Sequence, residues 1–144
     1  MTLIADAARL ESARLTWRGQ VLPNRVLVMG VLNVTPDSFS DGGAHLDPAH
    51  ALDRALSMVD AGADVIDIGA ESTRPGSAEV SASEELRRLE PVLDRLVAEV
   101  KVPVSVDTRK AKVADHALQA GCAAVNDVTG GRGDEQMLSV VAQA

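Results

Sequence analysis

Four apolar runs of this chain end in side chains able to hold a ligand: Asn33, Asp67, Asp107 and the pair Asn126 and Asp127. If the runs are parallel strands, their C-terminal ends open on one side of the molecule and these groups share one mouth. Taken singly, each could equally cap the helix that follows it. Two loops add chemistry. The stretch Asn33-Val34-Thr35-Pro36-Asp37-Ser38-Phe39-Ser40-Asp41-Gly42-Gly43 gathers an amide, carboxylates and hydroxyls around one aromatic ring. Oxygen donors of this kind suit a hard cation such as Mg2+, which keeps most of its waters and shares a substrate phosphate. Glu71-Ser72-Thr73-Arg74-Pro75-Gly76 offers hydroxyls and a guanidinium fork, a clamp for an anion. On residue types alone, each loop also reads as an ordinary solvated turn.

The histidines give no rival site. His45 falls in a loop, His50 in the first turn of a helix and His116 on a helix beside Asp115, without the two-histidine helical spacing of zinc hydrolases. Cys122, at a strand start among small residues, reads as inert core.

The elements that must position these groups follow from the apolar pattern. Residues 1–25 form an entry segment with a small hairpin around Arg18-Gly19-Gln20. The first strand, Val26 to Leu32, is apolar without alternation, as a strand buried on both faces should be. Asp47-Pro48 opens a helix, with Leu52, Leu56 and Val59 facing inward and Gly62 as its stop. A second strand, Val65 to Ile68, precedes a helix that starts with capping-box spacing at Ser81 and Glu84 and that Pro91 should kink or divide. A third strand, Val102 to Asp107, leads to a helix from about Lys110 to Gly121. The fourth, Ala123 to Asp127, leads to a last helix from Asp134. Strand and helix in strict alternation predict an α/β fold with a parallel sheet.

Composition narrows the partners. The 144 residues are 46% hydrophobic, enough for one core, with a net charge of −7. The isoelectric point near 4.8 makes nucleic acid and membrane surfaces poor partners. No apolar run approaches the roughly 18 residues that span a bilayer. The start, Met1 to Asp6, lacks a signal peptide's basic and apolar regions, and the single cysteine suits a reducing cytoplasm. With one Trp, one Phe and no Tyr, the core must be aliphatic and base stacking is a weak prospect.

The uninterrupted run Val28 to Gly43 resembles the first signature of dihydropteroate synthases, and Ala63 to Gly76 resembles the second. Val104-Ser105-Val106-Asp107-Thr108 and Val125-Asn126-Asp127 are similar to two further family segments, in the same order. The resemblance runs from about Val26 to Gly131. It implies that residues 26–144 are the first four βα units of a (β/α)8 TIM barrel, preceded by the short N-terminal β-hairpin.

The resemblance also implies a reaction: dihydropterin-hydroxymethyl pyrophosphate and 4-aminobenzoate joined to dihydropteroate in folate synthesis, with pyrophosphate released. Asn33 is then the Mg2+ ligand beside the pyrophosphate, and Asp107 and Asn126 recognise the pterin ring. Asp67 adds to that polar floor or serves a buried structural network, and Asp127 is a helix-start or structural group. Thr73 and Arg74 contact pyrophosphate or aminobenzoate, and Phe39 and Pro75 help form the aminobenzoate pocket where sulfonamides bind in the family. Asp41 stabilises positive charge on the pterin methylene.

A whole barrel takes about 250 residues. The family's later pterin-binding Asp and Lys and its anion-gripping Arg-x-His match nothing here, so the expectation is an N-terminal half, inactive alone. With open sheet edges it should aggregate, self-associate or stay partly molten, whereas a full-length protein should be a homodimer. Two alternatives stay open: a pterin-dependent methyltransferase of the same superfamily, and a non-catalytic pterin-binding module.

Overall fold

The computed structural model describes residues 16–35, 47–72 and 78–144. It opens with a hairpin of β1 (Thr16–Trp17) and β2 (Gln20–Val21), paired antiparallel. Both turn residues take left-handed backbone, Arg18 at φ 45° and Gly19 at φ 80°, which matches the twist of a two-residue hairpin. The Arg18 guanidinium donates to Leu118 O at 2.6 Å and Cys122 O at 3.1 Å. It thereby docks the hairpin on carbonyls at the C-terminal end of a helix, where the backbone dipole favours a cation.

The remaining strands, β3 (Met29–Asn33), β4 (Val65–Gly69), β5 (Val104–Asp107) and β6 (Ala124–Asn126), form one parallel sheet in the order β3-β4-β5-β6. The helices are α1 (Pro48–Asp60), α2 (Ala82–Glu99), α3 (Ala111–Ala120) and α4 (Met137–Gln143), packed side by side in chain order. Alternate strand residues face them. Leu32, Ile66, Ile68, Val104 and Val106 meet Leu52, Leu89, Leu93 and Leu96 in one buried aliphatic core. This is the α/β arrangement of four successive βα units.

Local chemistry sets three helix ends as the sequence predicts, whereas α4 begins at Met137 and not at Asp134. The Asp47 side chain accepts from Ala49 N at 2.9 Å, with Pro48 as the first helical residue. Gly121 caps α3 at φ 116°. At α2, Ser81 Oγ accepts from Glu84 N at 3.2 Å, while the Glu84 carboxylate is held by Arg87 and Arg88.

Three expectations are corrected. Pro91 does not divide helix α2, which runs unbroken from Ala82 to Glu99 with Leu89, Val92 and Leu93 buried on one side and Pro91 exposed on the other. The first strand begins at Met29 and not at Val26. Its partner β4 starts at Val65, and the residues before Met29 are engaged otherwise: Asp64 accepts from Val28 N at 2.9 Å and pairs with Arg25 at 2.6 Å. Nor is that strand buried on both faces, since Val31 is 51% exposed. Strands β3 and β6 each pair on one side only among the described residues.

Candidate active site

Strand register brings the strand-end groups into one row. Asn33 lies opposite Gly69, Gly69 opposite Asp107, and Asp107 opposite Asn126. Two residues earlier the row is Val31, Asp67, Ser105 and Ala124, on the same face because side chains alternate. Since Leu32, Ile68 and Val106 fill the helical core, both rows project from the opposite face, at and just below the C-terminal ends of the strands. Parallel strands lie about 4.8 Å apart, which sets Asn33 roughly 10 Å from Asp107 along the row.

The upper row is short of partners. Asp107 is half-buried, and its carboxylate receives no hydrogen bond among the described residues. Burial, and then the negative charges of Asp67, Glu85, Asp127 and Glu71, push its carboxyl up to about 6. Gly69 lies beside it on the neighbouring strand: a Cβ there would meet Asp107 Cβ at 3.2 Å. Asn33 and Asn126 are exposed at the two ends of the row.

The lower row is saturated. Asp67, 2% exposed, accepts from Ser105 Oγ at 2.5 Å and from Asn126 Nδ2 at 2.8 Å. The structure thus brings Asn33, Asp107 and Asn126 to one rim and sets Asp67 one layer beneath it. Ser105 is a residue the sequence reading passed over. A single hydroxyl two positions before Asp107 in an otherwise apolar strand was the available signal.

Sequence reading also missed a charged knot beside the rim. Lys110 Nζ bonds Glu71 Oε2 at 2.6 Å and Glu85 Oε2 at 2.7 Å, and Arg109 reaches Glu71 at 3.2 Å and Glu79 at 3.3 Å. Glu71 Oε1 also accepts from Val80 N at 2.9 Å, closing the base of the loop between them. Burial alone would raise Glu71, yet hydrogen bonds from Lys110, Val80 and Arg109 outweigh it and bring the carboxyl down to about 2. Glu85 is fully buried, and its Oε1 has no donor among the described residues.

Asp127 is structural: it accepts from Thr129 N, Thr129 Oγ1 and Gly131 N, organising the turn after β6. Burial drives the Cys122 thiol up to about 12, which makes it a poor nucleophile. Phe39, Asp41, Thr73, Arg74 and Pro75 lie outside the described residues. No cluster of three or more metal-ligating acids, cysteines or histidines occurs among the described residues. The exposed amide of Asn33 is a single oxygen donor, which fits a magnesium ion whose other ligands are water and phosphate oxygens.

Residues 29–144 match the family described as pterin binding enzyme. The chain is 54% identical over 119 residues to dihydropteroate synthase of Bacillus subtilis, an alignment covering 83% of this chain and 42% of that protein. The structure of Xanthomonas albilineans dihydropteroate synthase with 4-aminobenzoic acid aligns at a TM-score of 0.84 and 48% identity, over 92% of this chain and 49% of that one. A Yersinia pestis dihydropteroate synthase in a sulfonamide drug complex aligns at 0.80 and 48% identity, over 91% and 48%. The chain spans about half or less of the length of these relatives.

Proposed function

This chain belongs to the pterin-binding enzyme family, and from that premise we propose that the full protein is a dihydropteroate synthase, joining 6-hydroxymethyl-7,8-dihydropterin pyrophosphate to 4-aminobenzoate. The observation that carries the reading is the pair Asp107 and Asn126. A half-buried carboxylate without a donor among the described residues stands beside an amide on the same rim, at register-paired positions. Acceptors left unmet in a partly desolvated place are costly, and a ligand edge rich in N–H donors removes that cost. The guanidine-like edge of a pterin is such an edge.

Above pH 6 Asp107 is mainly anionic. As the C–O bond to pyrophosphate breaks, positive charge spreads from the methylene into the ring and makes its N–H groups stronger donors. Their bonds to Asp107 then tighten in the transition state, the kind of interaction that speeds a reaction instead of merely binding substrate. Pyrophosphate leaves with the bonding pair. The amine of 4-aminobenzoate supplies the pair for the new C–N bond and releases a proton. Mg2+ held through Asn33 would withdraw charge from the leaving diphosphate. The spacing of Asn33 from Asp107, roughly 10 Å, suits a ring at one end of the row and a diphosphate at the other. Arg74 and Thr73 would hold anionic groups, Phe39 and Pro75 the aminobenzoate, and Asp41 the cationic methylene, all on the resemblance of their loops.

The proposal includes a homodimeric, cytoplasmic full-length protein. Among the described residues no helix is long and apolar enough to cross a membrane. Calorimetry on the full protein with the pterin pyrophosphate is expected to show magnesium-dependent binding, followed by dihydropteroate formation when 4-aminobenzoate is added. A protein that ignores pterins sinks the reading. Binding indifferent to magnesium and pyrophosphate moves the chain to a pterin-dependent methyltransferase, and binding without turnover makes it a pterin-binding module.

A further inference from the structure

We infer that Asp67 is a positioning residue that fixes the Asn126 side chain with its carbonyl oxygen, not its amino group, toward the ligand. The inference rests on the pterin-binding reading of the rim and adds the origin of its polarity. An Asn amide offers an acceptor at one end and donors at the other, and which end faces a ligand is set by the hydrogen bonds of the other end. Asn126 Nδ2 is 2.8 Å from Asp67 Oδ2. A carboxylate only accepts, so that contact selects the amino end and leaves Oδ1 to the mouth.

Asp67 itself cannot turn away. It is 2% exposed, and its other oxygen is held by Ser105 Oγ at 2.5 Å. Ser105 and Asp67 are register partners on adjacent strands, so the anchor is built into the sheet and not into a loop. The outcome is two acceptors side by side at the rim, Asn126 Oδ1 and the Asp107 carboxylate. Such a rim favours ligands with donors and penalises isosteres that present a carbonyl in their place.

The test compares 6-hydroxymethylpterin with 6-hydroxymethyllumazine, in which a ring carbonyl replaces the amino donor, as ligands of the full protein. Asp67→Ala frees the Asn126 amide to rotate. Pterin affinity is expected to fall modestly while lumazine affinity rises, because the freed amide can turn its amino end to the ring carbonyl, so the preference between them falls by about 10-fold. Ser105→Ala removes one of the two bonds that hold Asp67 but keeps the Asp67–Asn126 bond. It is expected to lower the melting temperature and to reduce the preference by clearly less than Asp67→Ala does. Asp67→Ala with an unchanged preference, or both variants shifting it alike, overturns the inference.

A second arm needs no ligand. In the nitrogen-15 NMR spectrum of the free protein, the Asn126 side-chain NH2, assigned by its loss in Asn126→Asp, should exchange slowly and show restricted motion. A freely rotating surface amide there refutes the anchor. A protein that binds no pterin would sink the proposed function while this arm still reports on Asp67.

Discussion

Two acidic groups stand close to the rim of this sheet, and they have opposite fates. Glu71 and Glu85 are buried with Lys110 between them and Arg109 alongside, and Glu71 is held down to about 2. Asp107 is also drawn into the protein, yet no cation or donor among the described residues meets it, and its carboxyl is pushed up to about 6. The difference separates structure from function. A carboxylate that builds the fold has its counter-charge in the chain, whereas one that recognises a ligand leaves that place for the ligand. Net charge near the rim says nothing of this, since both groups are acidic; the partners decide.

Removing the counter-charge should make the first group behave worse than the second. Lys110→Met leaves the buried Glu85 without its cation, with one oxygen already lacking a donor among the described residues, and takes from Glu71 one of its partners while Arg109 and Val80 N stay. Loss of one partner from a buried ion pair costs about 3–5 kcal/mol. Urea denaturation of the full protein at neutral pH is expected to show a loss of that size. A loss under about 1 kcal/mol would mean that water already reaches the knot, and the contrast with Asp107 would dissolve.

The reverse holds for Asp107→Asn. Pterin affinity is expected to fall by about 10- to 100-fold, the effect of losing a hydrogen bond to a charged group. Stability at neutral pH should instead rise. The sign follows from the direction of the shift: a carboxyl raised from 3.8 to about 6 by folding binds its proton more tightly in the native state. Its contribution therefore falls as pH climbs from about 4 to 6 and remains unfavourable above. Glu71, lowered from 4.5 to about 2, contributes the opposite way, with stability present above pH 4.5 and lost on acidification toward 2. Unfolding curves across pH should lose their decline between 4 and 6 in Asp107→Asn and keep the acid limb. A stability profile unchanged by this substitution would show that Asp107 is not under strain in the free protein.

How much of this could be read in the sequence depends on how local each cause is. Asp47-Pro48 and Gly121 announce helix ends by residue type, and they are where the structure puts α1 and α3. Asn33, Asp107 and Asn126 stand out because each terminates an apolar run, and parallel register does the rest. Glu85 does not stand out. It looks like one more charge on a polar helix, and its partner Lys110 is 25 positions away, beyond any local pattern. Both roles of Asp67 are named from the sequence, but its partners Ser105 and Asn126, 38 and 59 positions along, are equally beyond a local pattern. Pro91 misleads for a related reason: its local cost is real, and burial of its neighbours overrides it.

The mildest way to sharpen the contrast leaves every charge in place. Gly69 sits between Asn33 and Asp107 in the upper row, and it has no need of left-handed backbone, so alanine is conformationally acceptable there. The added methyl would lie 3.2 Å from Asp107 Cβ and 3.4 Å from Oδ2, close enough that the carboxylate must shift by a few tenths of an ångström. Misplacing an acceptor by that amount bends its hydrogen bonds without abolishing them. Gly69→Ala should therefore weaken pterin binding by about 10-fold or less, with stability altered by under about 1 kcal/mol. A large loss of stability with binding intact would assign Gly69 to the packing of the sheet. Loss of binding alone ties the glycine to Asp107, since the Glu71 knot depends on other contacts.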